Sequence, residues 1–209
     1  MSNLILNGKT TVPGGTFEEV NIDGLPTIVG DLSCDIMKAD GVGKFRGNVT
    51  VKGKADIDGV FNVYGNMDVE DLDLDGTFKV FGDLNAEGME VEGLLKVSKS
   101  ITAENIKLTG FVSLKGTLNA GSLDITFYNS PKVKEVVGGR ISIRRGSTTR
   151  RFRAELIEGD EISVERSKVG MIRGDSVIIG EGCTIDRVEY RSNLDIHPKA
   201  VVKEKVKLS

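Results

Sequence analysis

A glycine comes back to the same place in a 17-residue frame seven times. Gly8, Gly24, Gly41, Gly59, Gly76, Gly93 and Gly110 follow one another at spacings of 16, 17, 18, 17, 17 and 17. Four residues before them stand Leu4, Val20, Met37, Ala55, Leu72, Met89 and Ile106, and two before stand Leu6, Ile22, Ala39, Ile57, Leu74, Val91 and Leu108. Four residues after them stand Val12, Ile28, Phe45, Val63, Val80, Val97 and Leu114. A second glycine follows six places later in all but one of these turns, where Lys99 replaces it. The apolar period is two, so the repeat is built of strands and not of helix. Each repeat holds three short strands that turn residues i and i+2 inward, and glycines mark corners where the backbone needs unusual φ values.

A coil that returns to its start every ~17 residues stacks on the next coil by parallel pairing, at ~4.8 Å per turn. The expected fold is therefore all-β, a three-sided parallel β-helix of roughly ten rungs. Seven regular rungs are expected over 1–130. The pattern fails after Phe127, at Tyr128-Asn129-Ser130-Pro131, and a basic stretch rich in Lys and Arg follows. We expect a break near 128–153, with 131–153 as a basic irregular junction. Apolar pairs resume from Ala154/Leu156 to Val206/Leu208, which predicts about three more rungs over 154–209.

The repeated apolar-x-Gly with a second glycine six residues on, in rungs near 17 residues, resembles the bactofilins, best over 4–127 and more loosely over 154–208. The resemblance implies a right-handed coil and a bacterial cytoskeletal protein. Such a protein forms polymers without nucleotide, by end-to-end stacking of β-helices, into scaffolds that organise cell-envelope or cell-shape machinery. Its implied partners are other copies of itself, other bactofilins or envelope-associated proteins, with a membrane surface as a weaker candidate. The expected location is the cytoplasm, with or without membrane association.

The stacking mechanism also has a physical basis in the residues. A solenoid end is a ring of unpaired N–H and C=O groups over an apolar core, a template for another strand unless it is capped. No capping segment is recognisable in the sequence. The candidate polymer interface is thus the end rungs: Leu4, Leu6 and Val12 at one end, and Leu194, Ile196, Val202, Val206 and Leu208 at the other.

Two columns beside the corner glycines are further candidates. Just after the glycine come Leu25, Val42, Val60, Leu94 and Phe111, either an outward apolar stripe for lateral contact or corner packing. Just before it come Asp23, Asp40, Asp58, Asp75 and Glu92, a ladder of acids that suits either cations or Asp-Gly turn chemistry. The basic segment contributes Arg144, Arg145, Arg150, Arg151 and Arg153, as a solvated loop or as a contact for an acidic protomer face or anionic lipid. It lacks interleaved aromatics beyond Phe152, which disfavours nucleic acid.

No catalytic residue, cofactor site or metal site is expected. There is no P-loop, zinc spacing or nucleophile elbow, and only 5% of the residues are aromatic. The alternative is a hexapeptide-repeat-like acyltransferase, which also uses a three-sided β-helix and a His base. The one histidine, His197, would carry that role, but it stands beside Pro198 with no partner recognisable in sequence. Cys34 and Cys183 match no metal or redox spacing and read as free thiols of a reducing compartment.

Overall fold

The computed structural model describes residues 2–147 and 149–209. Thirteen strands form one parallel sheet whose order is the order of the chain. They are β1 (Leu4–Thr16), β2 (Glu19–Cys34), β3 (Ile36–Arg46), β4 (Val49–Val63), β5 (Met67–Val80), β6 (Leu84–Val97) and β7 (Ile101–Leu114). There follow β8 (Thr117–Phe127), β9 (Lys132–Arg145), β10 (Phe152–Val164), β11 (Ser167–Ile179), β12 (Thr184–Ile196) and β13 (Val201–Lys207). The fold is a parallel β-solenoid of about 12 turns with about 17 residues per turn. Its contacts gather into two compact units, Met1–Ala103 and Glu104–Ser209.

In the first unit the repeat frame is the pairing register. Gly24 pairs Gly8 and Gly41, Gly41 pairs Gly59, and Gly59 pairs Gly76, which pairs Gly93. One rung illustrates the three faces. Ala55 and Ile57, then Phe61 and Val63, then Met67 and Val69 all point inward and are buried. Gly59 turns the first corner and Tyr64-Gly65 the second. Each large apolar side chain withdrawn this way stabilises the coil by about 1.5–3 kcal/mol. Phe61 stacks on Phe45 of the neighbouring rung at 5.9 Å between ring centroids. Its ring also fills the space where Gly43 has no side chain, so a Cβ at Gly43 would strike that ring.

A second set of bonds ties successive rungs at the second corner. Asp31 Oδ1 accepts from the Asn48 backbone N–H (2.7 Å), and Asn48 Oδ1 accepts from that of Asn66 (2.9 Å). Asn66 Oδ1 then accepts from Asp83 N–H (3.0 Å), and Asp83 Oδ1 from Ser100 N–H (3.1 Å). Each short polar side chain reaches one rung along and satisfies a backbone donor that the corner would otherwise leave unpaired.

The second unit corrects the expected break. Residues 132–145 do not form an irregular junction. They form β9, paired in parallel with both β8 and β10. Val133, Val136, Ile141 and Ile143 point inward while Lys132, Lys134, Arg140 and Arg144 point out. The density of charge on the outward positions hides this alternation in the sequence. The solenoid therefore has about 12 turns and not ten. Between β9 and β10, residues 146–147 and 149–151 carry no strand, and Thr148 lies outside the described residues.

Gly59 shows how tightly the rungs approach. Its φ is +118°, and a Cβ built there would run into the carbonyl oxygen of Gly41. Gly8 has φ +72° but open space around the same position. Gly59→Ala should therefore cost more than the about 1–3 kcal/mol of backbone strain alone, whereas Gly8→Ala should stay within that range. Urea unfolding of the two variants measures the difference; equal costs would contradict the close approach.

Candidate functional site

The end rungs differ from the interior in cover. Leu4 and Val12 are only half-buried, whereas Val20 and Ile28, their partners one rung in, are fully buried. Leu194, Ile196 and Val202 are likewise half-buried although they pair with buried Val177, Ile179 and Ile185; Val206, also half-buried, pairs instead with Glu189 of the charge cluster, and half-buried Leu208 lies past β13. Leu6 is the exception. It is 4% exposed and already belongs to the core of its own chain.

The residues after the first-corner glycines do point outward. Leu25, Val42 and Val60 are exposed and Leu94 is half-buried, with Thr77 interrupting their column. Phe111 is also exposed and lies against Tyr128 in the second unit, 6.2 Å between centroids. Alternation also turns Tyr64 and Phe81 outward at the second corner, and the structure adds that they stack. Tyr64 and Phe81 stack face to face on the surface, 4.8 Å apart and 6° from parallel, at the spacing of the rungs that carry them. The corresponding signal in the sequence is an aromatic immediately before the second glycine in two successive repeats.

The acidic ladder is in register: Asp23 pairs Asp40, Asp40 pairs Asp58, Asp58 pairs Asp75 and Asp75 pairs Glu92. All five are exposed. Among the described residues none of the five side chains makes a hydrogen bond or ion pair. They do not close the turn hydrogen bonds that an Asp-Gly pair often forms. No group of three or more His, Cys, Asp or Glu among the described residues is arranged to hold a metal.

The five arginines of the basic segment are dispersed. Arg144 clamps Asp124 with one nitrogen 2.7 Å from both carboxylate oxygens. Arg145 ends β9, and Arg150 is exposed. Arg151 reaches across two rungs to Thr184 Oγ1, 3.3 Å away. Arg153 stands between Lys132 and Lys168 in neighbouring strands, and all three are exposed. Lys115 and Lys134 line the same shallow groove as Lys132.

His197 sits in the turn after β12. Its backbone N–H donates to the Ile179 carbonyl, and its Nδ1 accepts from the Lys199 backbone N–H at 3.1 Å. The ring thus shapes the Pro198-Lys199 turn. Both cysteines are free and buried. Burial pushes the Cys34 thiol up to about 11 and raises that of Cys183 too, which makes both poor nucleophiles.

The strongest electrostatic cluster was not legible in the sequence. Glu189, only 7% exposed, accepts from Arg173 Nε at 2.8 Å and pairs with Arg187 Nη2 at 2.7 Å. Arg187 also holds Glu204 at 3.0 Å, and Arg173 lies 3.7 Å from Glu158, so the chain of charges ties β10 through β13 together. Arg173 first, and then Arg187, hold the Glu189 carboxyl below the usual carboxylate range. The cluster is structural: its charges are consumed by one another.

No family model matches the chain, and no solved structure matches it. It is similar to two uncharacterized proteins of Bacillus subtilis. With YhbF it shares 35% identity over 81 residues, 36% of this chain and 34% of that protein. With YhbE it shares 46% identity over 55 residues, 26% of this chain and 23% of that protein. The chain thus spans a third or less of the length of these curated relatives. What fold and surfaces define together is a parallel β-solenoid with charged and apolar ladders on its faces. No helix of the described residues is long and apolar enough to cross a membrane.

A depressed folded pKa at Glu189 contributes stability that is present above the unfolded carboxylate value and lost as pH falls through the folded one. Glu189→Gln should therefore be less stable than the parent at pH 7, and the gap should narrow toward pH 3. Thermal unfolding across that range measures it; a gap independent of pH would contradict the assignment.

Proposed function

We propose that this chain is a structural, self-assembling scaffold of the bactofilin type that polymerises end to end without nucleotide. It is not an enzyme in this reading. The polymer organises cell-envelope or cell-shape machinery from the cytoplasm, with other copies of the chain as its first partner. The observation that carries the reading is the half-cover of the end rungs. Leu4 and Val12 at one end, and Ile196 and Val202 at the other, hold the inward register without a neighbouring rung among the described residues to bury them. β1 and β13 each pair on one side only among the described residues. A second copy placed on either edge would complete the backbone pairing and cover those side chains in one step. The apolar-x-Gly repeat that resembles the bactofilins supports the same mode of assembly.

The test separates end residues from core residues. Val202→Lys and Leu208→Lys place a charge on a half-buried end position, and each lost apolar contact is worth about 1.5–3 kcal/mol. Both variants should keep the β-rich circular dichroism of the parent and sediment as shorter species. Val80→Lys, at a position 1% exposed, should misfold because the charge is desolvated inside one chain. If the parent is a monomer at every concentration and salt without nucleotide, or if both end variants assemble like the parent, the end-on reading fails.

A further inference from the structure

We propose that the basic face of the second unit is a docking surface for the acidic face of a second copy of this chain. The two units carry opposite charge: 9 Lys+Arg against 17 Asp+Glu over 1–103, a net of −8, and 19 against 14 over 104–209, a net of +5. Each excess is concentrated on one outward column. On the first unit, Asp23, Asp40, Asp58, Asp75 and Glu92 stand on successive rungs. On the second, Lys132, Arg153 and Lys168 do the same, with Lys115 beside them. Among the described residues Asp186 interacts with this column through Lys168 and is itself paired with Lys203 at 2.7 Å, and Glu155 lines the groove beside Lys132, Arg153 and Lys168.

Stacking like charges one rung apart opposes folding, and many charges elsewhere pair across rungs, although Lys79 and Lys96, and Asp56, Asp73 and Glu90, also stand in register. Lys52 pairs Asp35, Lys54 pairs Asp73, Arg191 pairs Asp175 and Lys199 pairs Glu181, each joining one rung to another. Both ladders lack this inter-rung pairing, as Lys79 and Lys96 do on the first unit. Among the described residues, Lys132 and Arg153 make no side-chain hydrogen bond or ion pair, and neither do the five ladder acids. Both ladders inherit one period, ~4.8 Å, from the strand spacing. Charges of one can therefore meet charges of the other one for one, without rearrangement of either backbone. A free polyanion satisfies the basic column alone; a second copy satisfies both columns at once, and that selects it as the occupant.

The side-on contact extends the self-assembly reading but uses none of the end-rung residues, so the two fail separately. Exposed charge pairs are weak singly and screened by salt. The contact should therefore be steeply salt-dependent, unlike apolar end stacking. The experiment uses the full chain carrying Val202→Lys to silence the end contact. One variant adds Asp40→Lys, Asp58→Lys and Asp75→Lys; the other adds Lys132→Glu, Arg153→Glu and Lys168→Glu. Sedimentation at low salt should show association of the parent background, loss by about tenfold or more in each reversed variant alone, and recovery when the two variants are mixed. Circular dichroism checks that both are folded. A milder set, Lys132→Gln, Arg153→Gln and Lys168→Gln, should weaken association in the same direction should a reversal disturb its rung. Association that survives either reversal or the Gln set, or that fails to recover on mixing, overturns the proposal. So does a parent background that binds vesicles of anionic phospholipid yet never itself, which would assign the basic face to a membrane.

Discussion

Everything in this molecule depends on how closely one rung's backbone can approach the next at the first corner. There Gly59 lies so near the Gly41 carbonyl that no side chain fits between them. The approach keeps the rungs in parallel register, and the register keeps like positions stacked. Inward, that stacking buries Ala55, Ile57, Phe61, Val63, Met67 and Val69 on three faces of one rung and their counterparts on the next. Outward, it turns a residue type at one position of the repeat into a ladder. The surface chemistry follows from the same constraint as the core.

Ladders can be self-satisfying or left open. The Asp31, Asn48, Asn66 and Asp83 side chains each close a hydrogen bond to the next rung, and the Arg173–Glu189–Arg187 cluster closes on itself. The acidic and basic columns do neither. The half-covered end rungs leave apolar side chains open in the same way.

The regular part of the fold was legible because the corner glycine and the apolar pair four and two residues before it recur in every turn from Val20 to Leu108. β9 was not legible, since Lys132, Lys134, Arg140 and Arg144 on its outer face outweighed Val133, Val136, Ile141 and Ile143 on its inner one. The Glu189 cluster was hidden for another reason. Arg173 pairs Glu189 sixteen residues on while Arg187 pairs Glu204 seventeen on, so no fixed period joins its members before the register is known. The outward direction of Leu25, Val42 and Val60 was one of two arrangements the sequence left open, the other being corner packing, whereas the register of the acidic ladder followed from the repeat period. The bonding of the Asn48 column did not, because a side chain that reaches its neighbour's backbone leaves no trace within a single repeat. Leu6 was expected at an exposed end and is buried, which moves the end surface onto Leu4 and Val12.

The central claim is that assembly continues the rung stacking from one copy into the next. Cryo-electron microscopy of assemblies formed without nucleotide tests it most directly. The account predicts an unbroken series of rungs at ~4.8 Å across each junction, with Val202 and Val12 covered by a neighbouring copy. Assemblies whose copies touch only along their sides, with the end rungs still facing solvent, would contradict it.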